Sequence, residues 1–124
     1  PIVITIGLIN MANNIRDRVK DKASGRKTLS ILLGKKASIT FMAAMYILAY
    51  LIVIFTALFK SGGSLFYLLV LFSFPMPIKA IRRFNKNDTP ASMMPAMAAT
   101  GKTNTVFGIL YALGIYISAL LGGI

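Results

Sequence analysis

The sequence predicts an all-α fold: a bundle of helices embedded in a lipid bilayer. The first observation behind this is composition. The chain of 124 residues is 56% hydrophobic and only 14% charged, whereas soluble domains carry about a quarter charged residues. Mean hydropathy is +0.74. The second is unbroken apolar length. Residues 38–59 are 22 positions without a charge, and residues 105–124 are 20. A hydrocarbon core takes roughly 20 apolar helical residues to cross. A chain this short cannot wrap two such helices in a soluble core. Backbone inside lipid must satisfy its own hydrogen bonds, which selects helix.

The third observation is where the charge lies. The net charge is +11, and such basicity often signals nucleic acid. Here thirteen of the fourteen Lys and Arg fall in two segments, 16–36 and 79–102, between the apolar runs. Lysine and arginine stay on the cytoplasmic side of a membrane. The charge therefore reads as topology, and a nucleic-acid partner is not expected. There is no cysteine and no histidine, which removes disulfides, thiolate metal sites and the commonest general base.

Taken in order, Ile2–Ile9 is an apolar stretch too short to span. It reads as the last turns of a helix whose beginning lies upstream, so the chain is expected to be a fragment. This helix stub covers residues 1–22, apolar to about Met11 and polar beyond, and Ser24-Gly25 breaks it. Residues 38–59 form the first full span, and residues 60–64 a tight turn. The next apolar run, 65–78, has Pro75 and Pro77 near its end. Its 14 residues are few for a crossing. Without it, however, the two basic segments would lie on opposite faces. Extended to residue 81 it crosses, with Lys79 snorkelling to the interface. Residues 82–104, with Pro90, Pro95 and the cluster Met93, Met94 and Met97, read as a long interfacial loop. A last span runs from about 104 to 124. Lys60 and Ile124 then lie on the face opposite the basic segments.

The three acidic residues are Asp17, Asp21 and Asp88. On a helix, positions four apart stack on one face. Asn13, Asp17 and Asp21 therefore make one stripe, flanked by Asn10 and Asn14. Carboxylate and amide oxygens suit a hard cation, and magnesium is typically held by one or two carboxylates plus substrate phosphates. Ion pairing on a solvated helix is the plainer reading of the same stripe. Arg16, Arg18, Lys20, Lys22, Arg26 and Lys27 surround it, and cations beside carboxylates suit an anion that a metal bridges, such as a pyrophosphate.

The stretch Asn13-Asn14-x-Arg16-Asp17-x-x-x-Asp21-x-x-x-Gly25-Arg26-Lys27-Thr28-Leu29 resembles the second aspartate-rich motif and following loop of UbiA superfamily membrane prenyltransferases. The paired asparagines and the Gly-Arg-Lys-Thr-Leu run are most similar to the 1,4-dihydroxy-2-naphthoate branch. So is the later run from Met94 through Gly101-Lys102-Thr103-Asn104-Thr105. The resemblance implies the C-terminal part of a nine-helix bundle in a bacterial inner (plasma) membrane, with the aspartate motif on the cytoplasmic side. Two aspartate-rich motifs would hold Mg2+ on the pyrophosphate of an isoprenoid substrate. Asp17 and Asp21 would be catalytic metal ligands, and Asn13, Asn14, Arg26 and Lys27 pyrophosphate-binding residues. The reaction implied is transfer of a polyprenyl group from polyprenyl pyrophosphate to dihydroxynaphthoate with decarboxylation, giving demethylmenaquinone in menaquinone biosynthesis. The first motif is absent from these residues, and Asp88 has no acidic neighbour to replace it. The fragment alone is therefore expected to be inactive.

Gly101-Lys102-Thr103 is not a phosphate-binding loop, because position 96 is alanine where that motif needs glycine. The glycines of the last span suit close helix packing. Prenyl or phytyl transfer to another aromatic acceptor, such as 4-hydroxybenzoate, is the near alternative. A transporter segment with ion-coupling aspartates is the distant one. Eight cations between Arg16 and Lys36 place Asp17 and Asp21 at the interface rather than the midplane.

Overall fold

The computed structural model describes residues 1–59 and 63–121. Helices α1 (Ile2–Arg16), α2 (Arg18–Ala23), α3 (Leu29–Leu33) and α4 (Lys35–Phe59) are followed by a 3-10 helix (Leu65–Ser73), then α5 (Pro75–Lys86) and α6 (Pro90–Leu120). The described residues contain no strand, so the molecule is an all-α bundle. Three stretches, Lys35–Phe59, Leu65–Lys86 and Met94–Leu120, are long and apolar enough to cross a membrane. The turn expected at residues 60–64 and the end of the last span fall partly outside the described residues.

Helix α4 is apolar all round, yet its two faces differ in use. Ile39, Met42, Tyr46, Ala49, Tyr50, Val53 and Ala57 are buried, at spacings of three and four. Ile47, Leu51, Phe55 and Leu58 are exposed. A helix that keeps large aliphatic side chains outward is built to be solvated by lipid. Leu8, Met11, Ala12 and Ile15 of α1 meet Ile39, Met42 and Tyr46 of α4, Phe84 of α5, and Met93 and Ala96 of α6 in one core cluster. Tyr50, Val53, Val70 and Phe107 form a second cluster. Tyr50 stacks edge-on against Phe74 and Phe107, each 5.2 Å away between centroids. Its hydroxyl lies 2.7 Å from that of Ser73, so a buried polar tip is satisfied within the core.

The second apolar run is not a continuous α-helix. It is a 3-10 helix of nine residues that gives way to α5 at Pro75. Proline has no N–H to donate and favours the first turn of a helix. The amide of Phe74 instead bonds Leu71 O at 3.0 Å, closing the tighter ring. A 3-10 helix rises about 2.0 Å per residue against 1.5 Å for an α-helix, so the short run covers more depth than an α-helix would.

The long loop expected over residues 82–104 is absent. Helix α5 continues to Lys86, and α6 starts at Pro90 after a three-residue link. Thr89 caps α6 in a reciprocal capping box with Ser92, and Pro90 takes the first helical position. Pro95 is accommodated inside the helix. The methionine cluster is therefore helical. Met93 is buried and Met97 packs against the core, while Met94 is exposed.

Candidate active site

The aspartate stripe lies where α1 gives way to α2. Asp17 leaves helical geometry, with φ −91° and ψ 5°. The i−4 bonds nonetheless run through it. Its amide donates to Asn13 O at 2.9 Å, and its carbonyl accepts from the Asp21 amide at 2.8 Å. Asn13, Asp17 and Asp21 thus keep their spacing across the helix break. Asn13, Asn14 and Asp17 are half-buried, Asp21 is buried, and Arg26 and Lys27 are exposed.

Gly25 decides what happens next. Its φ is +75°, in the left-handed region that a residue with Cβ enters only at a cost. The Arg26 amide bonds Asp21 O at 2.9 Å and the Gly25 amide bonds Lys22 O at 3.1 Å. Those two bonds make a Schellman motif at the end of α2. The turn folds the Gly-Arg-Lys segment back on its own helix and sets Arg26 Nη1 3.4 Å from Asp21 Oδ1. Thr28 then caps α3 by accepting from the Ile31 amide.

Asp17 is gripped on its other side. Arg16 Nε donates to Oδ1 at 2.8 Å and Nη2 to Oδ2 at 2.5 Å, a two-bond fork. These bonds hold the Asp17 carboxyl below its ordinary value of 3.8, with the Arg16 charge adding to the effect. Asp88 lies elsewhere and pairs with Lys35, which also donates to Asn87 O at 2.6 Å. That clasp ties the start of α4 to the α5–α6 link. The sequence stripe therefore becomes two carboxylates in file, each with its own arginine. Neither arginine sits at the four-residue helical spacing by which ion pairs are read from sequence. One neighbours its partner directly, and the other reaches it only through the glycine turn.

Among the described residues no group of three or more Asp, Glu, His or Cys side chains comes together to hold a metal. What is present is a pair of carboxylates. The bond from Arg26 to Asp21 is long, so that carboxylate keeps capacity for a further ligand. Asp17 would have to exchange its arginine fork for a cation. Two carboxylates completed by phosphate oxygens and water are a donor set that fits magnesium.

A sequence profile for the UbiA prenyltransferase family matches residues 1–106. The chain belongs to the UbiA prenyltransferase family. It is 44% identical over 119 residues to the 1,4-dihydroxy-2-naphthoate octaprenyltransferase of Bacillus subtilis, covering 95% of this chain and 38% of that protein. It is 29% identical to the Escherichia coli protein of the same name, covering 86% of this chain and 34% of that one. A UbiA prenyltransferase domain-containing protein 1 homolog of Drosophila melanogaster is 33% identical, over 90% of this chain and 29% of its own length. The chain thus spans about a third of these UbiA relatives. No solved structure matches it.

Proposed function

We propose that the whole protein to which this UbiA segment belongs transfers a polyprenyl group from polyprenyl pyrophosphate to 1,4-dihydroxy-2-naphthoate, with loss of carbon dioxide, as a step of menaquinone biosynthesis in a bacterial inner membrane. The observation that carries the reading is the file of Asp17 and Asp21 with Arg26 turned back beside it, in a chain 44% identical to a dihydroxynaphthoate octaprenyltransferase. In this reading the allylic C–O bond breaks, pyrophosphate leaves, and a ring carbon of the naphthoate forms the new C–C bond while the carboxyl departs.

The residues divide that work. Asp17 and Asp21 would hold magnesium, which when bound neutralises the oxygens of the departing pyrophosphate. Arg26 and Lys27, exposed at the end of the turn, supply fixed positive charge to the same group as it gains charge. Asn13 and Asn14 orient it with amide hydrogen bonds. Arg16 keeps Asp17 ionised and in place until the cation arrives. Two carboxylates are half of the acidic set this chemistry uses, so the other half comes from elsewhere in the whole protein. The segment by itself should not turn over.

Asp17→Asn and Asp21→Asn in the full-length protein test the assignment. Each should lower the rate of prenyl transfer about 10²-fold or more, with the protein still extracted folded from membranes. Turnover near the unmodified level in both variants would remove the assignment.

A further inference from the structure

A second polar feature lies away from the aspartate stripe. Between α5 and α6 a cleft of about 590 Å³ is lined by Lys79, Arg83 and Lys102 over an apolar floor that includes Met76, Ala98 and Gly101. All three cationic side chains are exposed. The chain has three carboxylates, and each is engaged elsewhere, with Arg16, Arg26 and Lys35. The cleft therefore concentrates three positive charges without drawing on the chain's own acids. Arg83 is held across it by a 3.1 Å bond from Nη1 to Pro95 O.

Depth identifies what faces this cleft. Residues 103–120 of α6 make about 27 Å of helix at 1.5 Å per residue. Residues 65–78, part 3-10 and part α, make about 25 Å. A hydrocarbon core is about 30 Å thick. Lys102 and Lys79 each stand at the first position after such a length, so both reach the headgroup layer of one leaflet. Arg83 lies one turn further toward water. Three cations at headgroup depth, with Met76 about one turn below Lys79 on the membrane side, match an amphiphile with a phosphate head and a hydrocarbon tail. Basic pockets between membrane helices hold anionic lipid headgroups in this way.

We propose that Lys79, Arg83 and Lys102 form a binding site for an anionic phospholipid of the leaflet at the basic face, its phosphate among the three cations and an acyl chain running inward past Met76. A pyrophosphate head has related chemistry, and the test separates the two. Full-length protein reconstituted in mixed phosphatidylglycerol and phosphatidylcholine is released into the gas phase, and retained lipids are counted by native mass spectrometry. The unmodified protein should retain phosphatidylglycerol preferentially, and each cation removed should weaken retention about fivefold. Lys79→Gln combined with Lys102→Gln leaves the Arg83 clasp intact and should lose most of the preference. Lys79→Arg combined with Lys102→Arg should keep it. Equal phosphatidylglycerol retention by unmodified and Gln-substituted protein would overturn the proposal. So would unchanged lipid retention with a raised KM for polyprenyl pyrophosphate, which would assign the cations to substrate. Lipid retention is read without turnover, so its result stands apart from the fate of the prenyl-transfer reading.

Discussion

Gly25 and Arg16 show how single residues set the geometry around Asp17 and Asp21. Replacing Gly25 by alanine puts a Cβ at φ +75°, which costs about 1–2 kcal/mol and loosens the turn that returns Arg26 to Asp21. In the full-length protein Gly25→Ala should lower the unfolding midpoint in detergent and, on the proposed function, slow prenyl transfer. Gly25→Asn, better tolerated in that conformation, should recover part of both. The Arg16 fork makes a separate, pH-dependent contribution. The Asp17 carboxyl is depressed below 3.8 in the folded protein. Its ion pair therefore adds stability that is fully present above that ordinary value and disappears as pH falls through the depressed one. The stability gap between unmodified protein and Asp17→Asn should hold from pH 7 to about 5 and close in stronger acid. A gap that persists unchanged at pH 2 would contradict the ion-pair origin. These arrangements were only partly legible in sequence. The Asp-x-x-x-Asp spacing and the glycine break were visible. The arginine partners were not, because one fork joins adjacent residues and the other depends on a turn that ion-pair spacing rules do not describe.

At the scale of elements, the crossing of the 3-10 helix with α6 depends on one missing methyl. A Cβ added at Gly114 would stand 2.4 Å from Phe66 O, a backbone atom that cannot swing aside. Gly114→Ala should therefore destabilise the bundle by about 1–3 kcal/mol, measured by chemical unfolding in detergent. Gly108 offers the control in the same helix. A Cβ there meets nothing within 4 Å, so Gly108→Ala should be neutral or slightly stabilising through helix propensity. Sequence reasoning assigned the glycines of this span to packing as a group. It could not distinguish these two, because the difference lies in what crosses them. The same limit explains the loop wrongly expected over residues 82–104. Two prolines and a polar composition suggested irregular chain. The pattern Thr89-Pro90-x-Ser92 was nonetheless a helix start in plain view, with a capping hydroxyl, a proline at the first position and a reciprocal serine. Met93 and Phe84, both buried, then supply the tertiary contacts that keep the segment helical.

For the molecule as a whole, the all-α membrane class was legible because it rests on composition and run length, which tertiary detail does not alter. The sidedness is open to a direct check. These 124 residues contain no cysteine, so within them an introduced thiol is the one reporter. Lys22→Cys and Asn85→Cys, both at exposed positions, should react with an impermeant maleimide from one side of the membrane, and Phe59→Cys from the other. Labelling of Lys22→Cys and Asn85→Cys from opposite sides would mean that Leu65–Lys86 does not cross. The winding of the 3-10 helix has a consequence beyond length. Nine residues make about three turns as a 3-10 helix and about two and a half as an α-helix. Rewinding the segment from Leu65 to Ser73 would thus act as a screw, drawing its ends together and rotating everything beyond it by half a revolution. The azimuth at which Lys79 and Arg83 emerge is fixed by this count of turns, so the pitch of an apolar segment sets the direction in which its polar extension points.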